Sequence, residues 1–156
     1  MKVSINFWKD KDRRIVEPDL FYHTAKQQAS SLIKDGNGKM NKRTQIRRFY
    51  DEVINLKQQL KQNPEEFEIR LPYIRMLIAK AHYANGRDHV TESFVDFIKD
   101  SISQVEDVES FEVFATFFEA VMGFHKFEEE QQKKNNKLVI KGKVKGGINY
   151  ETYRNN

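Results

Sequence analysis

Apolar residues recur at spacings of three and four through most of the chain, the period of helices that each bury one face. The clearest run is Ile46, Phe49, Tyr50, Val53, Leu56 and Leu60. It predicts a helix capped by Thr44 or Asn41 and ended at Asn63-Pro64, since proline disfavours helical backbone in the residue before it. Pro18 suits the first turn of an earlier helix reaching about Lys34, with Leu20, Ala25, Ala29 and Leu32 or Ile33 inward. Asp35-Gly36-Asn37-Gly38 stops it, because glycine and asparagine tolerate positive φ. A third helical segment spans roughly Pro64 to Tyr83, broken or re-entered at Pro72, with Ile74, Leu77, Ile78 and Ala81 inside and Asn85-Gly86 closing it. Thr91 to Val105 forms a fourth, carried by Phe94, Val95, Ile98 and Ile102, and the fifth runs from about Val108 to Gln132. Ahead of them Val3, Ile5 and Phe7 alternate as in a short strand or extended segment. The expected architecture is all-α: a compact bundle of about five helices (18–132), an N-terminal arm (1–17) and a basic, flexible C-terminal tail (133–156).

Composition supports a helical domain and excludes several alternatives. In 156 residues there are 7 Gly and 3 Pro, too few breakers for a sandwich or barrel. The 12 Phe are too many for a disordered chain. No apolar run reaches 15 residues, so no membrane helix or membrane partner is expected, and the default is a soluble cytoplasmic protein. Without cysteine there is no disulfide, thiol nucleophile or Cys-ligated zinc.

The net charge of +4 conceals two opposed regions. Residues 39–48 hold five bases and no acid, and residues 133–145 hold six lysines and no acid. Residues 92–130 hold eleven acids against Lys99 and Lys126. A basic end suits phosphate backbone, and an acidic end suits a basic partner or solubility.

Catalytic signals are missing. His23, His82, His89 and His125 sit in no His-Glu-x-x-His, and no Gly-x-Ser-x-Gly elbow occurs. His125 with Glu128 or Glu129 has helical metal-ligand spacing, but a lone histidine followed by three glutamates is usually a solvated helix end. Asp35 to Lys39 fails as a calcium loop, because Lys39 and Ile46 stand where oxygen ligands are needed. Gly38-Lys39 fails as a phosphate loop, with Ile33 in place of the first glycine and Met40 in place of Ser or Thr. The chain reads as no enzyme, with no cofactor and no metal.

The basic block carries the functional expectation. At 100° per residue Arg43 and Arg47 fall on one flank of the second helix, and Lys42 sits at its start, where free N–H groups favour phosphate. The competing reading is a solvated face, with Arg47 and Arg48 paired to Asp51 and Glu52. Six of the phenylalanines crowd the fifth helix, where Phe117 and Phe124 share a side distinct from the main stripe of Phe111, Phe114 and Phe118. Either that helix is buried on two faces, or Phe117 and Phe124 form a self-association stripe. The segment from Lys137 to Gly147 is either a disordered solubilising tail or one that adds a strand to a partner or clutches nucleic acid.

Lys42-Arg43-Thr44-Gln45-Ile46-Arg47-Arg48-Phe49-Tyr50 resembles the Thr-x-Ile-Arg-Lys/Arg-Phe-Tyr pattern of the small helical subunit of type III-A CRISPR interference (Csm) complexes. Leu71-Pro72 to Tyr83-Ala84-Asn85-Gly86-Arg87 is similar to a second region of that family, and the resemblance covers roughly residues 20–130. It implies a non-catalytic subunit that binds the crRNA and target RNA backbone independently of sequence. Several copies of itself would stack into a filament beside the backbone and large subunits of the complex. Carried over by position, Lys42, Arg43, Arg47 and Arg48 would contact phosphates, Gln45 would add a polar contact, and Arg70, Arg75 and Arg87 would follow from the second region. The alternative is a helical protein–protein adaptor without RNA contact, joined through Phe117 and Phe124.

Overall fold

The structure, a computed structural model, describes residues 2–152, with side chains through residue 143. An extended arm leads into a two-stranded antiparallel hairpin, β1 (Trp8–Asp10) and β2 (Ile15–Val16). A π-helical turn, Leu20–Thr24, then precedes α1 (Ala25–Gly36). Helices α2 (Arg43–Gln62), α3 (Phe67–Gly86), α4 (Glu92–Ile102) and α5 (Val108–Thr152) follow, with a 3₁₀ turn, Pro64–Glu66, before α3. Helix α5 packs on α1 and α2, and α3 packs on α4.

The core follows the predicted faces. Leu20, Ala25, Ala29 and Leu32 are buried, as are Ile46, Phe49, Val53 and Leu60 of α2. At its centre Phe94, Phe97, Phe114, Phe117 and Phe118 are all at most 1% exposed, and their rings meet mainly edge to face. Helix α1 stops where expected: Asn37 (φ 49°) and Gly38 (φ 73°) both turn left-handed. Gly36 sits at a close approach, where a Cβ would lie 3.3 Å from that of Asn41 and would press on it.

Three local expectations need correction. Helix α3 runs unbroken through Pro72. That residue lies in the second turn and is exposed, so the one helical bond it removes frees a carbonyl that water can reach. Helix α5 does not end at Gln132 but continues to Thr152. Glutamine and lysine are good helix formers, and each later glycine costs only about 1 kcal/mol without stopping the helix. From Gln131 to Lys143 its side chains are exposed; Lys145 and the glycines after it lie outside the described side chains. Neither Thr44 nor Asn41 caps α2: the cap position is Lys42, whose N–H is met by Oε1 of Gln45 at 3.1 Å.

In the arm the strands begin only at Trp8. Of the two readings of the alternating residues before it, strand and extended segment, no strand forms, and a side chain bonds their backbone where a neighbouring strand would. Gln104 donates through Nε2 to the Ile5 carbonyl (3.0 Å) and accepts from the Phe7 N–H (2.9 Å). Phe7 is fully buried, 6.4 Å from the Phe117 ring, and Trp8 is 8% exposed. Ion pairs join Lys2 to Asp100 (3.2 Å), Lys11 to Glu106 (2.9 Å) and Arg14 to Asp107 (2.6 Å). Three acids of the acidic region are therefore met by the chain's own arm. Exposed pairs contribute little individually, so burial of Phe7 and Trp8 holds the arm and the charges set its register.

Asp107 also caps α5, accepting from the Ser110 N–H at 2.8 Å. Burial pushes its carboxyl up, but the Ser110 N–H and hydroxyl and the Arg14 guanidinium outweigh this and hold it below its ordinary value. Its contribution to stability is thus complete above about pH 4 and is lost as pH falls through its lowered folded value. Trp8, the sole tryptophan, should shift its emission to the red over that acid range as the arm loosens. Asp107→Ala should show part of that shift already at pH 7, with about 1 kcal/mol of stability lost. Superimposable emission titrations for the two proteins would contradict this account.

Candidate nucleic-acid interface

Helix α2 carries its cations to two clefts. From Lys42 to Arg48 the helix rises only about 9 Å, yet the two ends of this stretch face different neighbours. Lys42, Arg43 and Thr44 line a cleft against α5, opposite His125, Glu129 and Lys133. Gln45 and Arg48 line a second cleft against α3, opposite Lys80, Tyr83, Arg87 and His89. Arg47 lies between them, exposed, with Asp51 at 4.0 Å, the limit of an ion pair.

In the first cleft the start of α2 is already occupied by an acid. The Arg43 N–H donates to Glu129 Oε2 at 3.4 Å, and Glu129 pairs with Lys133 at 3.6 Å. The helix N-terminus expected to favour phosphate therefore has a carboxylate in that position. Beneath it Asn41, 2% exposed with φ 55°, fastens four elements together. Its Nδ2 donates to the Leu32 carbonyl (2.9 Å) and to Thr91 Oγ1 (2.7 Å), and its Oδ1 accepts from the Thr91 N–H (2.9 Å). Its own N–H donates to the His89 carbonyl at 3.0 Å, and its carbonyl accepts from His125 Nε2 at 2.8 Å. His125 is thus committed to a backbone carbonyl, and no three His, Asp or Glu residues gather to hold a metal among the described residues.

The second cleft unites residues far apart in sequence, Arg48 and Arg87. Glu52 does not pair with Arg48, because Lys80 holds its carboxylate at 2.9 and 3.1 Å. Arg87 stacks over Tyr83 instead, its guanidinium 5.7 Å from the ring centroid. Arg43, Arg48, Arg75 and Arg87 have no carboxylate ion-pair partner among the described residues. Arg70 is different: Glu66 holds it at 2.8 Å, and it lines a separate hollow with Tyr73 and Met76. Arg75 is exposed and lines neither of the two clefts.

Phe117 is fully buried against Phe7 and Phe97, so it has no surface to offer a second copy. Phe124 is half-buried, 6.1 Å from the Tyr22 ring. Two-sided burial of α5 explains both positions. On α5 the exposed phenylalanine is Phe127, and a larger group of exposed hydrophobic side chains stands out from α3, where Ile69, Tyr73, Met76 and Tyr83 are each more than half exposed. Sequence reasoning passed over Tyr83, Lys80 and His89 as site residues; the available signal was the spacing of four between Tyr83 and Arg87.

No helix among the described residues is long and apolar enough to cross a membrane. A family model described as Csm2 Type III-A matches residues 17–131, which excludes the arm up to Val16 and the end of α5. No curated protein matches the chain, and no solved structure matches it.

Proposed function

The chain belongs to the Csm2 type III-A family, the small subunit of the Csm complex, and from that premise we propose that it is a non-catalytic RNA-binding subunit. Its cations would hold the crRNA and target RNA by their phosphates, while base pairing between the two strands supplies sequence specificity. The observation that carries this reading is the convergence of Arg48 and Arg87 on one cleft, both free of ion pairs among the described residues. Arg43 and Arg47 extend the same positive track toward the start of α2. In the complex this track would run beside the backbone and large subunits and be repeated by further copies of the chain.

Replacing Arg43 and Arg47 together by alanine should weaken binding of full-length protein to single-stranded or guide–target RNA. It should also flatten the logarithmic salt dependence by about 1.5, the value for two lost phosphate contacts. Titrations at several salt concentrations measure this, and an unchanged slope would remove both arginines from the phosphate track. The adaptor reading draws on the exposed Ile69, Tyr73 and Met76 of α3, and it predicts no salt-dependent RNA binding at all.

A further inference from the structure

The cleft between α2 and α3 has an apolar floor for which phosphate binding has no use. Phe49, Ala84 and Val90 are each at most 9% exposed and line it beneath the cationic rim. On that rim the Tyr83 ring is 68% exposed despite the Arg87 guanidinium stacked over it. A hydrocarbon floor beside an open tyrosine and two arginines is the chemistry that receives a flat, weakly polar ring attached to phosphates.

Size restricts the occupant. The cavity is about 230 Å³, below the roughly 300–1,000 Å³ of pockets that enclose whole small molecules. It therefore suits one ring of a longer chain better than a free ligand. The far wall is preformed: the His89 N–H donates to the Ala84 carbonyl and its carbonyl accepts from the Asn41 N–H, both at 3.0 Å. The acid at the rim, Glu52, is held by Lys80 and leaves Arg48 unopposed.

We propose that this cleft takes one unpaired nucleobase of single-stranded RNA, stacked on Tyr83, with its neighbouring phosphates on Arg48 and Arg87. The inference rests on the phosphate-track reading and adds a preference that phosphate contacts alone cannot give. Bases within a duplex have both faces covered by their neighbours, so the cleft discriminates in favour of unpaired positions.

The test compares full-length protein binding to a single-stranded RNA of about 12 nucleotides with binding to an abasic oligomer of equal length and charge. The base-bearing RNA should bind about tenfold or more tightly. Tyr83→Leu should reduce that affinity to the abasic value, and Tyr83→Phe should retain the preference; Tyr83 is exposed enough for both variants to fold. Equal, salt-dependent affinities for the two oligomers would overturn the base pocket and leave the phosphate track standing. Failure to bind either oligomer would overturn both. Tyr83→Leu that keeps the base preference but loses co-purification with the other subunits would assign the tyrosine to a protein contact and overturn the proposal.

Discussion

Asn41→Ala is expected to lower the unfolding free energy by about 3–5 kcal/mol, from two physical contributions. The substitution removes the side-chain bonds to Leu32 and Thr91 and leaves the Thr91 N–H without its partner, while the Leu32 carbonyl keeps its place in the α1 ladder. The unsatisfied Thr91 N–H costs about 1–3 kcal/mol, and each of the other lost bonds about 0.5–1.5 kcal/mol. It also places a Cβ with no compensating polar group at φ 55°, a left-handed conformation that costs an ordinary residue about 1–2 kcal/mol. Asn41→Gly separates the two, since glycine accepts that φ freely and should recover about 1 kcal/mol relative to alanine. Denaturant unfolding of the three proteins measures both differences. A loss below about 1 kcal/mol for alanine would show that water replaces the side chain and that the residue does not fasten the elements together. Because Asn41 directly precedes Lys42, loosening it should also blur the position of the first cationic cleft, and RNA affinity should fall with stability.

Phe117→Ala is expected to cost about 3–5 kcal/mol, the usual penalty for emptying a buried phenylalanine site. Against a total stability of about 5–15 kcal/mol this is a large fraction. The ring is fully buried and meets both Phe7 and Phe97, so its loss should also release the arm and shift Trp8 emission to the red. Phe124→Ala, at a half-buried position, should cost clearly less. Chemical unfolding followed by Trp8 fluorescence distinguishes core from interface. A Phe117→Ala protein of unchanged midpoint that no longer self-associates would return this residue to a partner surface.

The resemblance read from Thr44 to Tyr50 and the family match agree, and both exclude the arm's first residues and the end of α5. Helices α1, α2 and α4 were legible because each buries one face whose spacing is local information, and α5 by its run of phenylalanines, buried on two sides. Helix α3 was harder, since its outer face holds Ile69, Tyr73, Met76 and Tyr83 as well as the buried Ile74, Leu77 and Ala81. Two apolar faces leave no amphipathic contrast, so no periodicity marks the outer one as a surface. Gln45 was legible as a polar group near the arginines, but its engagement with the Lys42 N–H depends on where α2 begins.

By itself the sequence determined the helical class, the stop after α1, the inward faces and the cluster of cations at the start of α2. These depend on backbone preference, spacing and composition, which act within a few turns of the chain. The tertiary structure decided which cations share a cleft. It placed Arg48 beside Arg87, set Glu129 against the backbone N–H of Arg43 rather than its side chain, gave Arg70 to Glu66 and buried Phe117 beneath Phe7. Such pairings depend on how helices cross and on which acid arrives opposite each base. Only the packed chain specifies them, because contact ends within about 4 Å and charge interactions at the surface are screened over about 10 Å.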